Sequence, residues 1–343
     1  MTPVPGLAVV VVCHQSAAAL GPTLRALGEQ LRGGDELVVV DNASTDASVD
    51  ATRAAAPDAT VIETGANLGF ASGCHIGVRA TTAPLLLLLN PDALPAPGCL
   101  EALRACAAQR PSWGAWQALV TMAGGDLINT AGNVVHYLGF GWAGRCGEPV
   151  AIVGSAPTEV GFASGAALVV RREAWDAVGG FDERYFMYGE DLDLSLRLRL
   201  AGWGIGVQPA ARVAHEYEFA KGDYKWFYLE RNRWWTLVGD YPGRLLAVLA
   251  PALLAFEVAL LLAAWRGGWL RAKLRAQAAV LRLLPAMLRR RRAIQATRAI
   301  GPGEFAQHLE ASLDSPFLAA AGRIPGVRAL QVGYWRIARL GVG

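Results

Sequence analysis

Uninterrupted apolar runs constrain the fold of this chain more than any other feature. The segments LAVVVVC (7–13), LVVV (37–40) and LLLLL (85–89) show no alternation of apolar and polar residues. Strands of this kind are typical of a parallel sheet that is covered on both faces. Segments with helical spacing separate them, at 16–31 and 46–56. The alternation predicts an α/β fold with a doubly wound parallel sheet over roughly residues 5–110.

The pattern changes after residue 110. AWQALV and AALVVR predict further strands, and the string GFGWAG (139–144) between them matches a dinucleotide-binding pattern. It opens no clear helix and lies outside the strand–helix alternation, so we interpret it as a glycine-rich loop or hairpin. EDLDLSLRLRLAGW (190–203) begins acidic and stops at Ala-Gly, which favours a helix. The alternation within 192–200 leaves a strand as the alternative.

Composition limits the class of protein. Hydrophobic residues make up 53% and charged residues 18% of the chain, which excludes a disordered protein. The five cysteines show no metal-site spacing, and this pattern predicts reduced thiols in a cytosolic compartment. No positive charge precedes the first apolar run, which argues against a signal peptide.

The C-terminal third combines an apolar segment with a basic one. Residues 245–265 are long enough to cross a bilayer, although they contain Pro251 and Glu257. From Arg266 to Arg298, both included, the chain has ten Lys or Arg residues and no acid. A membrane surface and nucleic acid are the two partners that such a basic block suits. The apolar neighbour favours the membrane, so we expect no nucleic acid partner.

Carboxylates follow the predicted strands. Asp41 ends one strand, and Asp92 follows the leucine run in Asn90-Pro91-Asp92. Because parallel strands end at one edge of a sheet, both acids should face the same cleft. Carboxylates brought close repel each other unless a cation or hydrogen-bond donors offset the charge. A Mg²⁺ ion bound to a phosphorylated ligand would do so.

A glycine-rich turn should reach the same edge. In NLGFASGCHIG (67–77), Gly69, Gly73 and Gly77 precede or open a predicted helix. Glycines allow a close approach of backbone to a ligand, and a helix N-terminus offers free N–H groups. The turn therefore predicts a nucleoside diphosphate at the sheet edge.

Together these segments resemble the family 2 glycosyltransferases of the GT-A fold, especially the rhamnosyltransferase-like bacterial branch. The resemblance covers about residues 7–233 and rests on VVVVCHQS, VVVDNASTD, NLGFASGCHIG, LLLLNPD, RREAWDAVGGFDERYFMYGEDLDLSLRLRLAGW and YLERNR in this order. Two departures stand out. The usual D-x-D is Asn90-Pro91-Asp92, a variant common in the branch, and His75 stands where the branch often has Asn.

The resemblance implies a role for each matched position. The catalytic base would be Asp191, with Glu190 beside it, and Asp92 and His215 would contact Mg²⁺ or Mn²⁺. Arg231 and Arg233 would bind the acceptor or the diphosphate. The remaining positions would bind the donor nucleotide: Asp41, Asn42, Asn67, Gly69, Phe70, Gly73 and Asn90.

Each position also has a purely structural alternative. Asp41 fits a turn, Asp92 fits a helix cap after Pro91, and the two acids of FMYGED fit a helix N-terminus. His215 could form only a surface pair with the acid that follows it. The two arginines could decorate a helix.

The implied activity is inverting transfer of a hexosyl group, with rhamnose as one candidate, from a dTDP- or UDP-sugar. The acceptor would be a saccharide or a polyprenyl-diphosphate-linked saccharide used in cell-surface polysaccharide assembly. We expect a GT-A-like Rossmann-type catalytic domain (1–240), apolar and basic membrane-associating helices (241–300) and a tail (301–343). The expected location is the cytoplasmic face of the bacterial inner membrane, with at most one transmembrane helix.

Two rival interpretations remain. A dehydrogenase should show G-x-G-x-x-G after its first strand, and VVVVCHQSAAALG lacks it. A non-catalytic membrane scaffold that kept the fold would have no reason to keep Asp92 and Asp191 together.

Overall fold

The computed structural model describes residues 5–215, 224–313 and 326–343. These residues form two compact units. The first comprises residues 5–133, 143–198 and 203–215, and the second comprises 134–142, 199–202, 224–313 and 326–343. The predicted boundary at residue 240 stays a prediction, and helix 224–240 groups with the second unit.

The strands in the described ranges are numbered in chain order. They are β1 Leu7–Cys13, β2 Glu36–Asp41, β3 Thr60–Glu63, β4 Leu85–Leu89, β5 Leu94–Pro95, β6 Trp113–Thr121, β7 Ile128–Thr130, β8 Asn133–Val135, β9 Gly141–Ala143, β10 Thr158–Glu159, β11 Ala167–Arg171 and β12 Gly204–Ala214.

The helices are numbered in the same way, and single 3-10 turns lie at Val150–Ile152 and Glu183–Tyr185. The α-helices are α1 Ala17–Gly28, α2 Ser48–Ala55, α3 Phe70–Arg79, α4 Cys99–Gln109, α5 Arg172–Val178, α6 Glu190–Leu200, α7 Tyr224–Asp240, α8 Gly243–Arg266, α9 Leu270–Ala296, α10 Pro302–Ala306 and α11 Val327–Leu340.

A mixed sheet forms the centre of the first unit, with the strand order β10-β12-β6-β11-β4-β1-β2-β3. Strands β3, β2, β1 and β4 are parallel, as predicted for residues 5–110. β11 then pairs antiparallel with both β4 and β6, and β12 runs parallel to β6. The carboxyl ends of β1, β2, β4, β6 and β12 therefore lie at the same edge as the start of β11.

Both faces of this sheet are covered, which explains the uninterrupted apolar runs. Successive residues of β1 point to opposite faces. Leu7, Val9 and Val11 pack with α1 and α4, whereas Ala8 and Val10 pack with α3, α5 and α6. The side chains on both faces of β1 are therefore buried, so no position of this strand has to be polar.

Residues 190–200 are the helix α6, and the strand alternative is wrong. The alternation of leucine with polar residues arises because the helix is buried on nearly all sides. Leu194 and Leu198 are fully buried, and so are Asp193 and Ser195, which find hydrogen-bond partners inside the protein. A helix buried all round loses the amphipathic period by which helices are usually recognised.

The segment that carries GFGWAG is a hairpin, as interpreted. Strands β8 and β9 pair with each other in a two-stranded sheet. The glycine string therefore lies in a β-hairpin and opens no helix. This excludes its interpretation as a dinucleotide-binding motif.

The second unit is mainly helical. Helix α8 is 24 residues long, and its most apolar window has a mean hydropathy of 2.5, enough by length and composition to cross a membrane. Only 17% of that window is buried inside the protein.

Candidate functional site

Asp92 lies beside His215, although the two residues are far apart in the chain. Asn90, Pro91 and Asp92 directly follow β4, and His215 directly follows β12 at the same sheet edge. Oδ1 of Asp92 lies 3.2 Å from Nε2 of His215, and Nδ2 of Asn90 lies 3.3 Å from the same nitrogen. The backbone of His215 is held at the end of β12, since its N–H donates to the Thr121 carbonyl (2.9 Å). The structure therefore brings together three predicted site residues.

The Asp92–His215 pair fits a divalent cation. In an octahedral shell with ligands at about 2.1 Å, neighbouring ligand atoms lie about 3 Å apart. The carboxylate oxygen and the imidazole nitrogen have this spacing. The Asp92 side chain is 47% exposed, so a diphosphate and water could reach the ion. Within the described ranges no group of three or more His, Cys, Asp and Glu side chains could hold a metal. The ligand and water would therefore have to complete the shell.

Asp41 is the last residue of β2 and Asn42 follows it, and both side chains organise the neighbouring loops. Oδ2 of Asp41 accepts from the Ser44 N–H (3.0 Å). Oδ1 of Asn42 accepts from the Leu68 N–H (2.9 Å), and its Nδ2 donates to the Gly69 carbonyl (3.1 Å). Both side chains are buried. Asn42 thus connects the end of β2 with the glycine-rich turn. Nucleotide binding stays a prediction for both residues, and Asp41 is the stronger candidate because the amide of Asn42 is already engaged.

The glycine-rich turn is shaped by packing inside the protein. Gly69 has φ +84°, and a Cβ there would lie 2.5 Å from the Phe186 carbonyl oxygen. Oδ1 of Asn67 accepts from the Gly69 N–H (3.0 Å), and the Phe70 N–H donates to the Phe186 carbonyl (2.9 Å). The turn is therefore fastened to the YFMYG segment that precedes the two acids.

Gly73 and Gly77 have a packing role in the fold, and the predicted ligand contact of Gly73 stays a prediction. A Cβ at Gly73 would lie 2.6 Å from Cγ1 of Val12, and one at Gly77 would meet Val10. Both glycines let α3 approach β1 closely, so helix packing accounts for them and a ligand is not required. His75 is likewise engaged within the protein, with Nε2 2.7 Å from the Phe181 carbonyl oxygen and its ring against Trp175.

The acids Glu190 and Asp191 open α6 after a strained turn. Phe186 (φ +63°) and Tyr188 (φ +65°) both adopt left-handed conformations that are unfavourable for residues with a side chain. Such strain clusters at functional sites, where surrounding contacts hold it in place. Here the turn places the two carboxylates at the helix N-terminus.

Burial raises the pKa of both acids, and hydrogen bonding distinguishes them. Burial raises the pKa of Glu190 to about 8, and the charge of Asp191 adds to the effect. Burial also raises the pKa of Asp191 above its usual value, against two backbone donors that lower it. Those donors are the Gly165 N–H to Oδ2 (2.9 Å) and the Leu192 N–H to Oδ1 (2.8 Å). The two backbone donors stabilise the ionised form of Asp191, whereas Oε2 of Glu190 has no hydrogen-bond partner within the described residues. The contacts therefore favour Asp191 as the acid that carries the charge.

Backbone contacts connect the two predicted centres. The Asn90 N–H donates to the Ala166 carbonyl (3.1 Å), and the adjacent Gly165 N–H donates to Asp191. Asp92 thus follows β4, and Asp191 is bound to the segment that leads into the neighbouring strand β11. The two acids are attached to the same edge of the sheet.

A buried network beside the site was not predicted. Oδ1 of Asp193 accepts from the Tyr185 hydroxyl (2.9 Å), and Oδ2 pairs with Arg197 (2.6 Å). Arg197 also donates to the carbonyls of Val178 and Gly180 (2.8 and 2.6 Å). The network fixes the segment between α5 and α6. Its only sequence signal is the i, i+4 spacing of Asp193 and Arg197.

The two predicted arginines lie on α7 in the second unit. Nε of Arg231 donates to the Asn232 side chain (2.8 Å), and its guanidinium lies 5.0 Å from the Tyr228 ring centroid. Arg233 is buried and pairs with Glu230 (2.9 Å) and with Glu257. These ion pairs give Arg233 a structural role within the helices, which argues against its predicted contact with a diphosphate. Arg231 stays a proposal.

Two known glycosyltransferases are similar to this chain in sequence. The chain is 33% identical over 239 residues to "N-acetylglucosaminyl-diphospho-decaprenol L-rhamnosyltransferase" of Mycobacterium tuberculosis H37Rv, covering 63% of this chain and 78% of the relative. It is 40% identical over 77 residues to "Rhamnosyltransferase WbbL" of Escherichia coli K12, covering 22% of this chain and 28% of the relative.

Solved structures share the fold. A mannosyltransferase from Pyrobaculum calidifontis, solved with GDP-Man and Mn²⁺, aligns with a TM-score of 0.51 and 19% identity over 99% of this chain and 87% of that one. The enzyme GalNAc-T7, solved with UDP, GalNAc and Mn²⁺, aligns with a TM-score of 0.56 and 14% identity over 69% of this chain and 48% of that one. These likenesses confirm the predicted GT-A-like fold.

The family assignment rests on the sequence match. The family model described as "Glycosyltransferase like family 2" matches residues 5–236. This range contains the sheet, the Asp92–His215 pair and both acids of α6. The chain belongs to the glycosyltransferase 2-like family, as the resemblance predicted.

Proposed function

We propose that this protein is a metal-dependent, inverting glycosyltransferase. It moves a hexosyl group, with rhamnosyl as the first candidate, from a dTDP- or UDP-sugar to a polyprenyl-diphosphate-linked saccharide during cell-surface polysaccharide assembly. One observation carries the proposal: Asp92 with His215, and Asp191 through Gly165, are attached to neighbouring strands at one sheet edge. The name of the M. tuberculosis relative supports the rhamnosyl donor and the lipid-linked acceptor.

The donor end of the reaction is assigned to the Asp92 side of the site. Asp92 and His215 would hold Mg²⁺ or Mn²⁺ against the donor diphosphate. The bound ion would offset the negative charge that develops on the departing nucleoside diphosphate. Asp41, at the buried end of β2, would receive the nucleoside. Asn67, Phe70 and Asn90 frame the same edge and would line the donor pocket.

Asp191 is assigned as the general base. An acceptor hydroxyl is a weak nucleophile until a carboxylate takes its proton during attack on the anomeric carbon. General-base assistance of this kind contributes about 10²- to 10⁴-fold to the rate. The raised pKa of Asp191 brings its proton affinity closer to neutral pH, which suits this task. A single displacement inverts the configuration, and no carboxylate nucleophile is then needed.

The lipid-linked acceptor accounts for the C-terminal helices. A substrate held in a bilayer requires the enzyme at the membrane surface, and the apolar α8 with the basic α9 suits that location. We therefore place the protein at the cytoplasmic leaflet of the inner membrane, where nucleotide sugars are available.

The test is a donor and acceptor screen with the full chain. Purified protein is incubated with dTDP-L-rhamnose or UDP-sugars, with a polyprenyl-diphosphate-linked N-acetylglucosamine acceptor, and with Mg²⁺, Mn²⁺ or EDTA. We expect the mass of the lipid to increase by one hexosyl unit and EDTA to abolish the increase. If no nucleotide sugar is consumed with either metal, the scaffold interpretation replaces the enzyme.

A further inference from the structure

Helix α8 has one face turned toward the protein and one turned away from it. Four buried residues lie on its inner face: Leu245, Leu249, Leu253 and Ala264. Four exposed apolar residues lie at helical spacing on its outer face: Leu254, Val258, Leu262 and Trp265. Trp265 is 65% exposed and Val258 69% exposed. A soluble protein rarely leaves such a row in water, so the outer face requires an apolar partner.

The inner face of α8 also carries Glu257, which fastens the helix at its middle. Its carboxylate pairs with Arg233 of α7 and with Lys273 of α9 (2.6 Å), and Gln277 donates to it (3.1 Å). Lys273 is fully buried and also pairs with Glu230. The four ionised groups of α7, α8 and α9 therefore compensate one another in a largely buried position.

This ion cluster opposes a membrane-spanning α8. Only Gly267, Gly268 and Trp269 separate α8 from α9, and Lys273 folds back onto the middle of α8. If α8 crossed the bilayer with the cluster intact, the first turns of α9 would enter the hydrocarbon with Arg271 and Arg275. If it crossed alone, Glu257 would be unpaired in the hydrocarbon and Lys273 would lose a partner inside the protein. Both arrangements leave charges in an apolar medium, which is costly.

The exposed residues of helix α9 indicate the chemistry of the partner that would cover the outer face of α8. Leu274, Leu281 and Leu288 are exposed and recur every seven residues, so they form one row. A second exposed row lies one residue further along, and its members are Arg275, Arg282 and Arg289. A leucine row flanked by arginines is typical of a helix lying in the headgroup region of an anionic bilayer. The leucines contact acyl chains, while the arginines reach phosphates.

We propose that α8 and α9 lie in the plane of an anionic phospholipid surface and that neither helix crosses it. The outer face of α8 and the leucine row of α9 contact the acyl chains, and the arginine row binds lipid phosphates. The Glu257 cluster remains inside the protein and keeps the helices together. The inference rests on the proposed function only in that a lipid-linked acceptor gives the enzyme a reason to be at the membrane.

Topology is tested at the two ends of α8 in the full chain. Arg244→Cys and Arg266→Cys are introduced separately and treated with a membrane-impermeant thiol reagent in spheroplasts and in inverted vesicles. The in-plane arrangement predicts that both ends react from the cytoplasmic side only. Reaction of the two ends from opposite sides would overturn it.

The lipid partner is tested by sedimentation with vesicles of phosphatidylcholine alone or mixed with phosphatidylglycerol. Each neutralised arginine of the row should lower partitioning onto anionic vesicles about fivefold, from the attraction of one basic residue to such a surface. The variant is R275Q/R282Q/R289Q, and the matched control is R32Q/R53Q/R145Q, which removes three exposed arginines of the first unit. Equal losses in both variants, or equal binding to both vesicles, would contradict the proposal.

These outcomes are separable from failure of the proposed function. Neither vesicle binding nor thiol labelling requires a donor or an acceptor. An inactive protein with in-plane helices would refute the proposed function alone, and an active protein whose α8 ends react from opposite sides would refute this inference alone.

Discussion

Replacement of Glu190 by glutamine should make the protein more stable at alkaline pH. The Glu190 side chain is 8% exposed, and its Oε2 has no hydrogen-bond partner within the described part of the chain. Burial raises its pKa from 4.5 to about 8. The folded state therefore binds this proton more tightly than the unfolded state does. As pH rises from about 4.5 to about 8, this carboxyl group ionises in the unfolded chain but stays protonated in the folded chain. The free energy of unfolding therefore falls over this range.

The size of this effect follows from the pKa difference. The shift from 4.5 to about 8, at about 1.4 kcal/mol per unit, sets an upper limit of about 5 kcal/mol for the loss above pH 8. Glutamine has nearly the same shape and carries no titrating proton, so Glu190→Gln should abolish this part of the pH dependence. The difference between variant and wild type should be small at about pH 5 and largest at about pH 9.

Urea unfolding at a series of pH values measures this difference. The matched control is Glu29→Gln, which makes the same change at an exposed carboxylate and should leave the wild-type pH dependence unaltered. Parallel stability curves for Glu190→Gln and wild type across this range would refute the reasoning, because they would mean that Glu190 is ionised in the fold at little cost.

Three further predictions concern the frame of the site. Gly69→Ala should destabilise the protein by roughly 1–3 kcal/mol more than Gly98→Ala in urea unfolding, because both glycines have positive φ but only Gly69 lies against the Phe186 carbonyl. Equal losses would show that the close approach is unimportant. Asp193→Ala should cost about 3–5 kcal/mol, since it leaves Arg197 buried without its carboxylate; the double variant with Arg197→Leu should recover part of the loss, and no recovery would argue against the pair. Because the pKa of Asp191 is raised and the base must be ionised, the acid limb of the kcat profile should lie above pH 3.8, the usual value for this carboxyl; a profile flat down to that pH would exclude Asp191 as base.

The sheet edge was predictable because it depends on local patterns. The apolar runs, the helical segments between them and the polar residue that ends each run specify parallel strands with Asp41 and Asp92 at their carboxyl ends. The partner of Asp92 was named only through the family resemblance. His215 follows β12, which is brought to the edge by pairing with β6, and no local pattern reveals that pairing.

Roles that depend on distant packing could not be read from the sequence. Gly73 looks the same in the sequence whether it faces a ligand or Val12, and only the fold shows the valine. Glu257 interrupts an apolar segment, but its partners come from α7 and α9. The pairing of Arg233 with Glu230 and Glu257 could not be predicted either, because it depends on how three helices pack.

The central claim is that Asp92 serves the donor diphosphate through a metal while Asp191 serves the acceptor hydroxyl. Donor affinity, with and without Mn²⁺, and single-turnover rate should be measured together for Asp92→Asn, Asp191→Asn and the exposed control Asp58→Asn. Asp191→Asn should keep metal-dependent donor affinity and lose about 10²- to 10⁴-fold in rate, whereas Asp92→Asn should lose the effect of Mn²⁺ on donor affinity. A wild-type rate for Asp191→Asn, or an unchanged Mn²⁺ effect in Asp92→Asn, would contradict the account.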